Sequence, residues 1–168
     1  MYFYTTQSSA MTKIIFSTWL GILIYILASC SAETQRTVIN PDDLPKVTAV
    51  TCTGGANNYS LSVTISSPDT GCDQYADWWE VLTKDSTLIY RRILTHSHVD
   101  EQPFTRSGGP VDVGPDDFIY VRAHMNNLGY GTQVFSGTLA EDLKLDTLAS
   151  NYGIRLETTE PLPVDCAF

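Results

Sequence analysis

Alternating apolar and polar residues predict a series of short β-strands between residues 45 and 139. In the segment Tyr59–Ser66, the side chains of Tyr59, Leu61, Val63 and Ile65 fall on one face, and Ser or Thr falls on the other. Seven strands are predicted, separated by turns rich in Gly, Pro, Asn and Asp: Lys46–Thr53, Tyr59–Ser66, Ala76–Thr83, Thr87–Thr95, Val111–Val113, Phe118–Met125 and Thr132–Leu139. The range contains no convincing amphipathic helix. We therefore expect an all-β fold, an antiparallel β-sandwich of about seven strands.

The remaining segments show no clear periodicity of apolar and polar residues. His96–Pro110 is predicted to be a long polar loop, because it contains two prolines and two glycines. Residues 140–150 are predicted to form a short helix or a segment draped over the domain, and residues 151–168 a tail. The expected domain therefore spans residues 45–139, followed by a C-terminal extension at residues 140–168 that packs on or near it.

One long apolar run precedes the predicted strands. Residues 14–28 carry no charge, follow Lys13 and end in small residues. Fifteen residues form a helix of about 22 Å, which is short of the membrane hydrocarbon core of about 30 Å. This layout is typical of an export signal peptide, expected at residues 1–29. Met11, followed by Thr12 and Lys13, is a better start for such a peptide than Met1.

The end of this run carries a recognisable motif. The sequence Leu27-Ala28-Ser29-Cys30 resembles the lipobox of bacterial lipoproteins. The resemblance implies cleavage just before Cys30 and acylation of its thiol, with residues 30–44 forming the lipidated cysteine and a polar tether. Ordinary secretion, with cleavage after Cys30-Ser31-Ala32, and an uncleaved signal anchor are the alternatives. The expected location is the bacterial cell envelope, and Ser31 favours the outer membrane if the cell is Gram-negative.

The charge distribution excludes one class of partner. The chain has ten basic and nineteen acidic residues, and only Lys13 among these lies before Cys30, so the exported part has a net charge of −10. Such a surface repels phosphate backbones, which makes nucleic acid an unsuitable partner. It also lacks a polybasic patch for anionic lipid, so attachment to a membrane is expected through the N-terminal lipid.

Two further features narrow the expected fold. The segment Val121–Gly131 resembles the late hairpin of fibronectin type III domains, in which a strand ending in Val-x-Ala precedes Asn and a Gly-rich turn. The pair Trp78-Trp79 on the third predicted strand suits an immunoglobulin-like core. The resemblance implies that the fourth strand and the strand starting at Phe118 lie in one sheet, separated by the third. It implies nothing about function.

Three cysteines remain for the exported domain: Cys52, Cys72 and Cys166. Export implies an oxidising compartment, so one disulfide and one remaining thiol are expected. A Cys52–Cys72 bridge would need the loop to double back to bring the Cα atoms within about 7 Å. A bridge from Cys166 to Cys72 or to Cys52 is therefore favoured.

The histidines suggest a metal site. His96 and His98 follow the fourth predicted strand, and His124 lies on a strand expected in the same sheet. A His-x-His pair with a third histidine from a nearby strand is a common arrangement around copper or zinc, and Asp100 and Glu101 can complete the shell. The alternative is that all three histidines are solvated or structural.

Other residues suggest a binding surface. The predicted loop His96–Pro110, with Asp100, Glu101 and Arg106, is the favoured one, because long loops in compact domains often bind ligands. Arg91, Arg92 and Arg106 either pair with local carboxylates or hold an anionic ligand. One of Trp78 and Trp79, with Tyr90, can form an exposed aromatic strip.

The sequence contains no Gly-x-Ser-x-Gly, His-Glu-x-x-His or phosphate-binding glycine loop, so an enzyme is not expected. The leading hypothesis is an anchored envelope lipoprotein whose β-sandwich binds a protein or glycan. The alternative is a copper- or zinc-binding protein that uses His96, His98 and His124.

Overall fold

A computed structural model describes residues 39–167, which contain nine β-strands and no α-helix. The strands are β1 (Lys46–Gly55), β2 (Asn58–Ser66), β3 (Ala76–Thr83), β4 (Leu88–Ile93), β5 (Phe104–Val111), β6 (Ile119–Met125), β7 (Gly129–Tyr130), β8 (Gln133–Gly137) and β9 (Lys144–Thr147). Two short 3-10 helices cover Pro41–Asp43 and Ile154–Thr158. The predicted signal peptide, the start at Met11, the lipobox and most of the tether lie outside the described residues. Neither helix within residues 39–167 has the length and the apolar composition of a membrane-spanning segment.

The strands form two antiparallel sheets packed as a sandwich. The first sheet has the order β1-β2-β5, and the second has the order β4-β3-β6-β8-β9, with β7 paired to β6. The predicted all-β sandwich is therefore confirmed. The prediction that the fourth strand and the strand starting near Phe118 share one sheet, separated by the third strand, is also confirmed.

The main core lies between the two sheets. Alternation along β2 places Leu61, Val63 and Ile65 on the inner face, where all three are fully buried, and Trp79 and Val121 meet them from the second sheet. Burying a large apolar side chain stabilises the fold by about 1.5–3 kcal/mol. The tryptophan pair thus contributes one ring, Trp79, to the core between the sheets.

A second, smaller core lies on the outer face of the second sheet. It contains Trp78, Leu82, Tyr130 and Leu156, and the last of these belongs to the helix Ile154–Thr158. The C-terminal segment therefore covers a sheet face that would otherwise be exposed to water. This cover explains why β3 is buried along almost its whole length.

The structure corrects the prediction for His96–Pro110. Its second half, residues 104–110, is not a loop, because Phe104–Val111 forms β5 at the edge of the first sheet. The predicted short strand Val111–Val113 contributes only Val111 to that strand. A Cβ atom on Gly108 would lie 2.5 Å from the Tyr90 hydroxyl, and one on Gly109 would lie 2.7 Å from a backbone oxygen. These two glycines permit close packing within a strand. In the sequence they look the same as turn-forming glycines, which is why a loop is predicted there.

The expected helix or draped segment at residues 140–150 is also wrong in part. Lys144–Thr147 forms β9, which pairs antiparallel with β8 at the edge of the second sheet. All four residues of β9 are exposed. Because neither face of this strand is buried, its residues show no apolar alternation that would have indicated a strand.

Candidate functional site

A buried ionic cluster lies on the outer face of the second sheet. Glu80 on β3 stands opposite Arg91 on β4 and Arg122 on β6. The Glu80 carboxylate accepts hydrogen bonds from Arg91 Nε at 2.8 Å and Nη2 at 2.6 Å, and from Arg122 Nε at 2.7 Å. All three side chains are almost completely buried. One carboxylate thus neutralises part of the charge of two buried guanidinium groups.

The two arginines also hold the C-terminal segment. Arg91 donates to the backbone oxygens of Leu156, Thr159 and Pro161 at 2.6–3.0 Å, and Arg122 donates to that of Tyr152. These bonds satisfy buried guanidinium donors and fix the segment over the sheet. The interpretation of the basic residues as partners of local carboxylates is confirmed for Arg91 with Glu80 and for Arg106 with Glu101.

Aromatic rings lie beside this cluster. The Arg91 guanidinium lies 4.4 Å from the Trp78 ring centroid, and the His124 ring stacks on Trp78 at 3.6 Å with an interplanar angle of 6°. Trp78 and Trp79 are 3% and 0% exposed. The suggested exposed aromatic strip is therefore wrong, because the inner core buries one tryptophan and the C-terminal segment buries the other.

His124 is oriented by a carboxylate. Its Nδ1 lies 2.7 Å from Asp77 Oδ1, and both side chains are largely buried. An ionised carboxylate only accepts hydrogen bonds, so the proton on this pair belongs to Nδ1. The other ring nitrogen, Nε2, lies 3.7 Å from Glu157 Oε1, which is beyond hydrogen-bond distance.

A cleft of about 570 Å³ opens beside His124. Its lining includes polar side chains, among them Asn127 and Glu157, and the apolar side chains of Leu128, Leu162 and Pro163. The C-terminal segment supplies Glu157, Leu162 and Pro163, so the cleft exists because that segment is held in place. Tyr130 lies behind His124, with its ring edge-on at 4.8 Å, and burial raises the pKa of its hydroxyl.

The structure brings two of the three predicted metal ligands together. The rings of His96 and His98 lie 4.5 Å apart, whereas His124 stacks on Trp78 and bonds to Asp77. Among residues 39–167, no group of three or more His, Cys, Asp or Glu side chains is arranged to hold a metal ion. Copper or zinc binding by these three histidines stays a prediction, and this arrangement offers it no third ligand.

His98 occupies an unusual environment. It is 4% exposed and stacks on Phe104 at 3.8 Å, and neither of its ring nitrogens has a hydrogen-bond partner in the described part of the chain. Its backbone N–H donates to Asp69 Oδ2, and its backbone oxygen accepts from Gln102, so it links two loops. Burial, with smaller contributions from the charges of Arg106 and His96, lowers the pKa of His98.

This environment predicts that acid destabilises the protein through His98. Because its pKa is lower in the folded state than its ordinary value of about 6.5, the unfolded state binds more protons below that pH. The contribution of neutral His98 to the free energy of unfolding is therefore fully present above about pH 6.5. It is lost as the pH falls towards the pKa that His98 has in the folded state. Urea unfolding between pH 7.5 and 5 measures this loss, and His98→Phe is expected to reduce it, because Phe retains the stacking and does not titrate.

His96→Asn is the matched control, since His96 is exposed and next to His98. It should keep most of the pH dependence of the wild type, because burial lowers the pKa of His98 more than the charge of His96 does. Equal pH dependence in the wild type and His98→Phe would contradict the assignment to His98.

The predicted binding-loop residues lie at the start of β5 and just before it. Asp100 and Glu101 are exposed, and Glu101 accepts a hydrogen bond from Arg106 at 2.8 Å. That bond lowers the pKa of the Glu101 carboxyl. Arg106 on β5 thus pairs with Glu101, which precedes that strand. A role of Asp100, Glu101 and Arg106 in ligand binding stays a prediction.

The predicted disulfide is confirmed for one of the two favoured pairings. Cys72 bonds to Cys166 with a Cα–Cα distance of 5.7 Å and a sequence separation of 94 residues. Cys52 is exposed on β1 and has no disulfide partner within residues 39–167. The bridge ties the end of the C-terminal segment to the loop before β3.

Sequence reasoning missed Asp77 and Glu157 as neighbours of His124, and it missed Glu80 as the centre of the ionic cluster. For Asp77 and Glu80, the sequence offered a signal in the expected order of the strands. The expected layout already placed β3 next to the strand that carries His124, so acidic residues on β3 were candidates for its partner. Glu157 gave no such signal, because it lies in the segment assigned to a tail.

Comparison with known proteins gives one similarity. A protein from Halomicrobium mukohataei named "Putative lipoprotein" is 33% identical over 106 residues. The aligned part is 63% of this chain and 52% of that protein, so the chain spans about half the length of the curated relative it matches. No family model matches the chain, and no solved structure matches it.

Proposed function

We propose that the protein is a cell-envelope lipoprotein, attached to a membrane through a lipid on Cys30, whose β-sandwich is a binding module. The observation that carries this proposal is the 33% identity to a protein named as a lipoprotein. The sequence Leu27-Ala28-Ser29-Cys30 at the end of an apolar run supports it independently. The Cys72–Cys166 bridge fits the same proposal, because disulfides persist in oxidising compartments.

We further assign the module to the fibronectin type III-like sandwiches. In immunoglobulin constant-type domains, the fourth strand of the chain completes the sheet of the first two strands. Here β4 pairs with β3 in the second sheet, and β5 joins β1 and β2 in the first. This order, together with the Val121–Gly131 resemblance, supports the fibronectin-type variant.

The binding surface that we assign to the module is the cleft beside His124. Its side chains are held by Asp77, by Trp78 and by the anchored C-terminal segment. Ordered side chains lose little conformational entropy when a ligand binds, which favours affinity. The ligand is expected to be a protein or a glycan of the envelope.

Replacing Cys30 with Ser tests the anchor. The variant lacks the thiol that would be acylated, so we expect it to leave the membrane fraction almost completely and appear in the soluble fraction. Cys52→Ser is the matched control, since it removes an exposed thiol from β1, and it should stay with the membrane. Retention of Cys30→Ser in washed membranes would contradict the proposed lipid anchor.

A further inference from the structure

We propose that the cleft beside His124 binds a primary ammonium group carried on a short alkyl chain. This inference rests on the proposed function, because it names the ligand chemistry of the binding module. It starts from two atoms, His124 Nε2 and Glu157 Oε1, which face each other at 3.7 Å.

Both of these atoms accept hydrogen bonds when the His124 ring is neutral. In that neutral form the 2.7 Å contact with Asp77 favours the proton on Nδ1, and the lone pair of Nε2 then faces Glu157. The ring cannot turn away, because Trp78 stacks on one of its faces and Tyr130 packs edge-on against it. Two acceptors are therefore held side by side, and a ligand with several N–H donors satisfies both.

Glu157 is held at this position by the shape of the chain around it. Its Oε1 lies so close to Gly129 that a Cβ atom there would come within 2.9 Å of it, and Gly129 has a φ of +82°. Glu157 belongs to the helix Ile154–Thr158. Arg91 donates hydrogen bonds to the backbone oxygen of Leu156 in this helix and to that of Thr159, which follows it. The ionic cluster therefore fixes the backbone that carries Glu157, and Arg91 does not pair with the Glu157 carboxylate.

The charge of the cleft favours a cation. Glu157 lines it and Asp77 bonds to the ring of His124, whereas the lining that residues 39–167 provide contains no Lys or Arg. Arg91 and Arg122, which lie against the rings of Trp78 and Tyr130, are engaged with Glu80 and with backbone oxygens. A phosphate or carboxylate ligand would be repelled there.

The remaining lining suits an alkyl chain. Leu128, Leu162 and Pro163 provide apolar surface next to the two acceptors. An ammonium group donates one charge-assisted hydrogen bond to Glu157 and a second to His124 Nε2, and its third N–H stays in water. Its methylene groups then pack on the apolar wall, as the stems of lysine side chains do on protein surfaces.

The probe for this proposal is n-butylammonium chloride, added to the full-length mature protein in detergent. The NMR signals of the His124 ring and the indole fluorescence of Trp78, stacked 3.6 Å away, report binding. We expect a saturable change with n-butylammonium and none with tetramethylammonium, which has no N–H donor. Glu157→Gln and Asp77→Asn should each weaken binding at least about tenfold. Glu157→Gln removes the negative charge of the cleft, and Asp77→Asn lets the His124 ring place its proton on Nε2, which then cannot accept from the ligand.

The exposed Glu141 provides the matched control, and Glu141→Gln should bind n-butylammonium as the wild type does. Equal affinities for Glu157→Gln and Glu141→Gln, or an equal response to tetramethylammonium, would overturn the proposal in favour of unspecific charge attraction. Saturable binding of Zn²⁺ without binding of n-butylammonium would overturn it in favour of a metal site.

Two further probes separate the sources of the amine. Tighter binding of Nα-acetyl-lysine amide supports a lysine side chain of a partner protein, and tighter binding of spermidine supports a free polyamine. Either result supports the ammonium site. Membrane release of Cys30→Ser is measured separately, so absence of amine binding would leave the proposed lipid anchor standing.

Discussion

Replacing Glu80 with Gln is expected to lower the free energy of unfolding by about 3–5 kcal/mol, because removing one partner of a buried ion pair leaves uncompensated charge. Here two buried guanidinium groups, those of Arg91 and Arg122, lose their shared carboxylate. The same variant should loosen the segment from Tyr152 to Pro161, whose backbone oxygens these arginines bind. Urea unfolding measures the energy, and amide hydrogen exchange measures the loosening.

Glu101→Gln is the matched control for this prediction. It makes the same substitution in a glutamate paired with an arginine, but the Glu101 side chain is 59% exposed. Exposed pairs contribute about 0–1 kcal/mol. Similar losses of unfolding free energy in the two variants would show that Glu80 does not hold a buried cluster together.

Removal of the Cys72–Cys166 bridge, in the double variant Cys72→Ala/Cys166→Ala, is expected to lower the free energy of unfolding by about 2–5 kcal/mol. The bridge closes a loop across a sequence separation of 94 residues and so restricts the unfolded chain strongly. It also fixes the end of the segment that covers the second sheet. Denaturant unfolding with and without reductant measures the effect.

Cys52→Ala provides the comparison for the double variant. Cys52 is exposed and without a disulfide partner in the structure described, and substitutions at such sites usually change stability by less than about 0.5 kcal/mol. The double variant should also become insensitive to reductant. If Cys52→Ala were as destabilising as the double variant, the stabilisation could not be attributed to the bridge.

The strands that bury one face were predictable from the sequence. In β2, a residue buried in the core alternates with one that is not, and this period of two is visible in the sequence from Tyr59 to Ile65. β3 was predicted with the bounds that it has, Ala76–Thr83. Its outer face, however, is buried in part by residues of the C-terminal segment such as Leu156, which lies more than 70 positions later in the chain. No local pattern indicates such a contact, so one tryptophan was expected at the surface.

The strands that lack a clear pattern were missed for different reasons. In β5, Gly108 and Gly109 allow close approach to Tyr90 and to the backbone of β2, and glycines in sequence indicate turns more often than packing. In β9, all residues are exposed, so pairing with β8 through the backbone is the feature that defines the strand. Backbone pairing is not visible in side-chain periodicity.

The candidate site was predictable only in its individual residues. His124 was identified as a functional candidate, but its expected partners were His96 and His98. The structure instead pairs it with Asp77 on the neighbouring strand and with Glu157 on the C-terminal segment. Both partners depend on tertiary contacts between segments that are far apart in the sequence.

The proposed lipid anchor on Cys30 is best tested by the mass of the N-terminal peptide of the mature protein. The protein is extracted from membranes with detergent, digested and measured by mass spectrometry. We expect a first residue at Cys30 that carries the added mass of acyl chains. An unmodified mature N-terminus at Glu33, as expected for ordinary secretion, or a peptide that retains residues before Cys30 would contradict it.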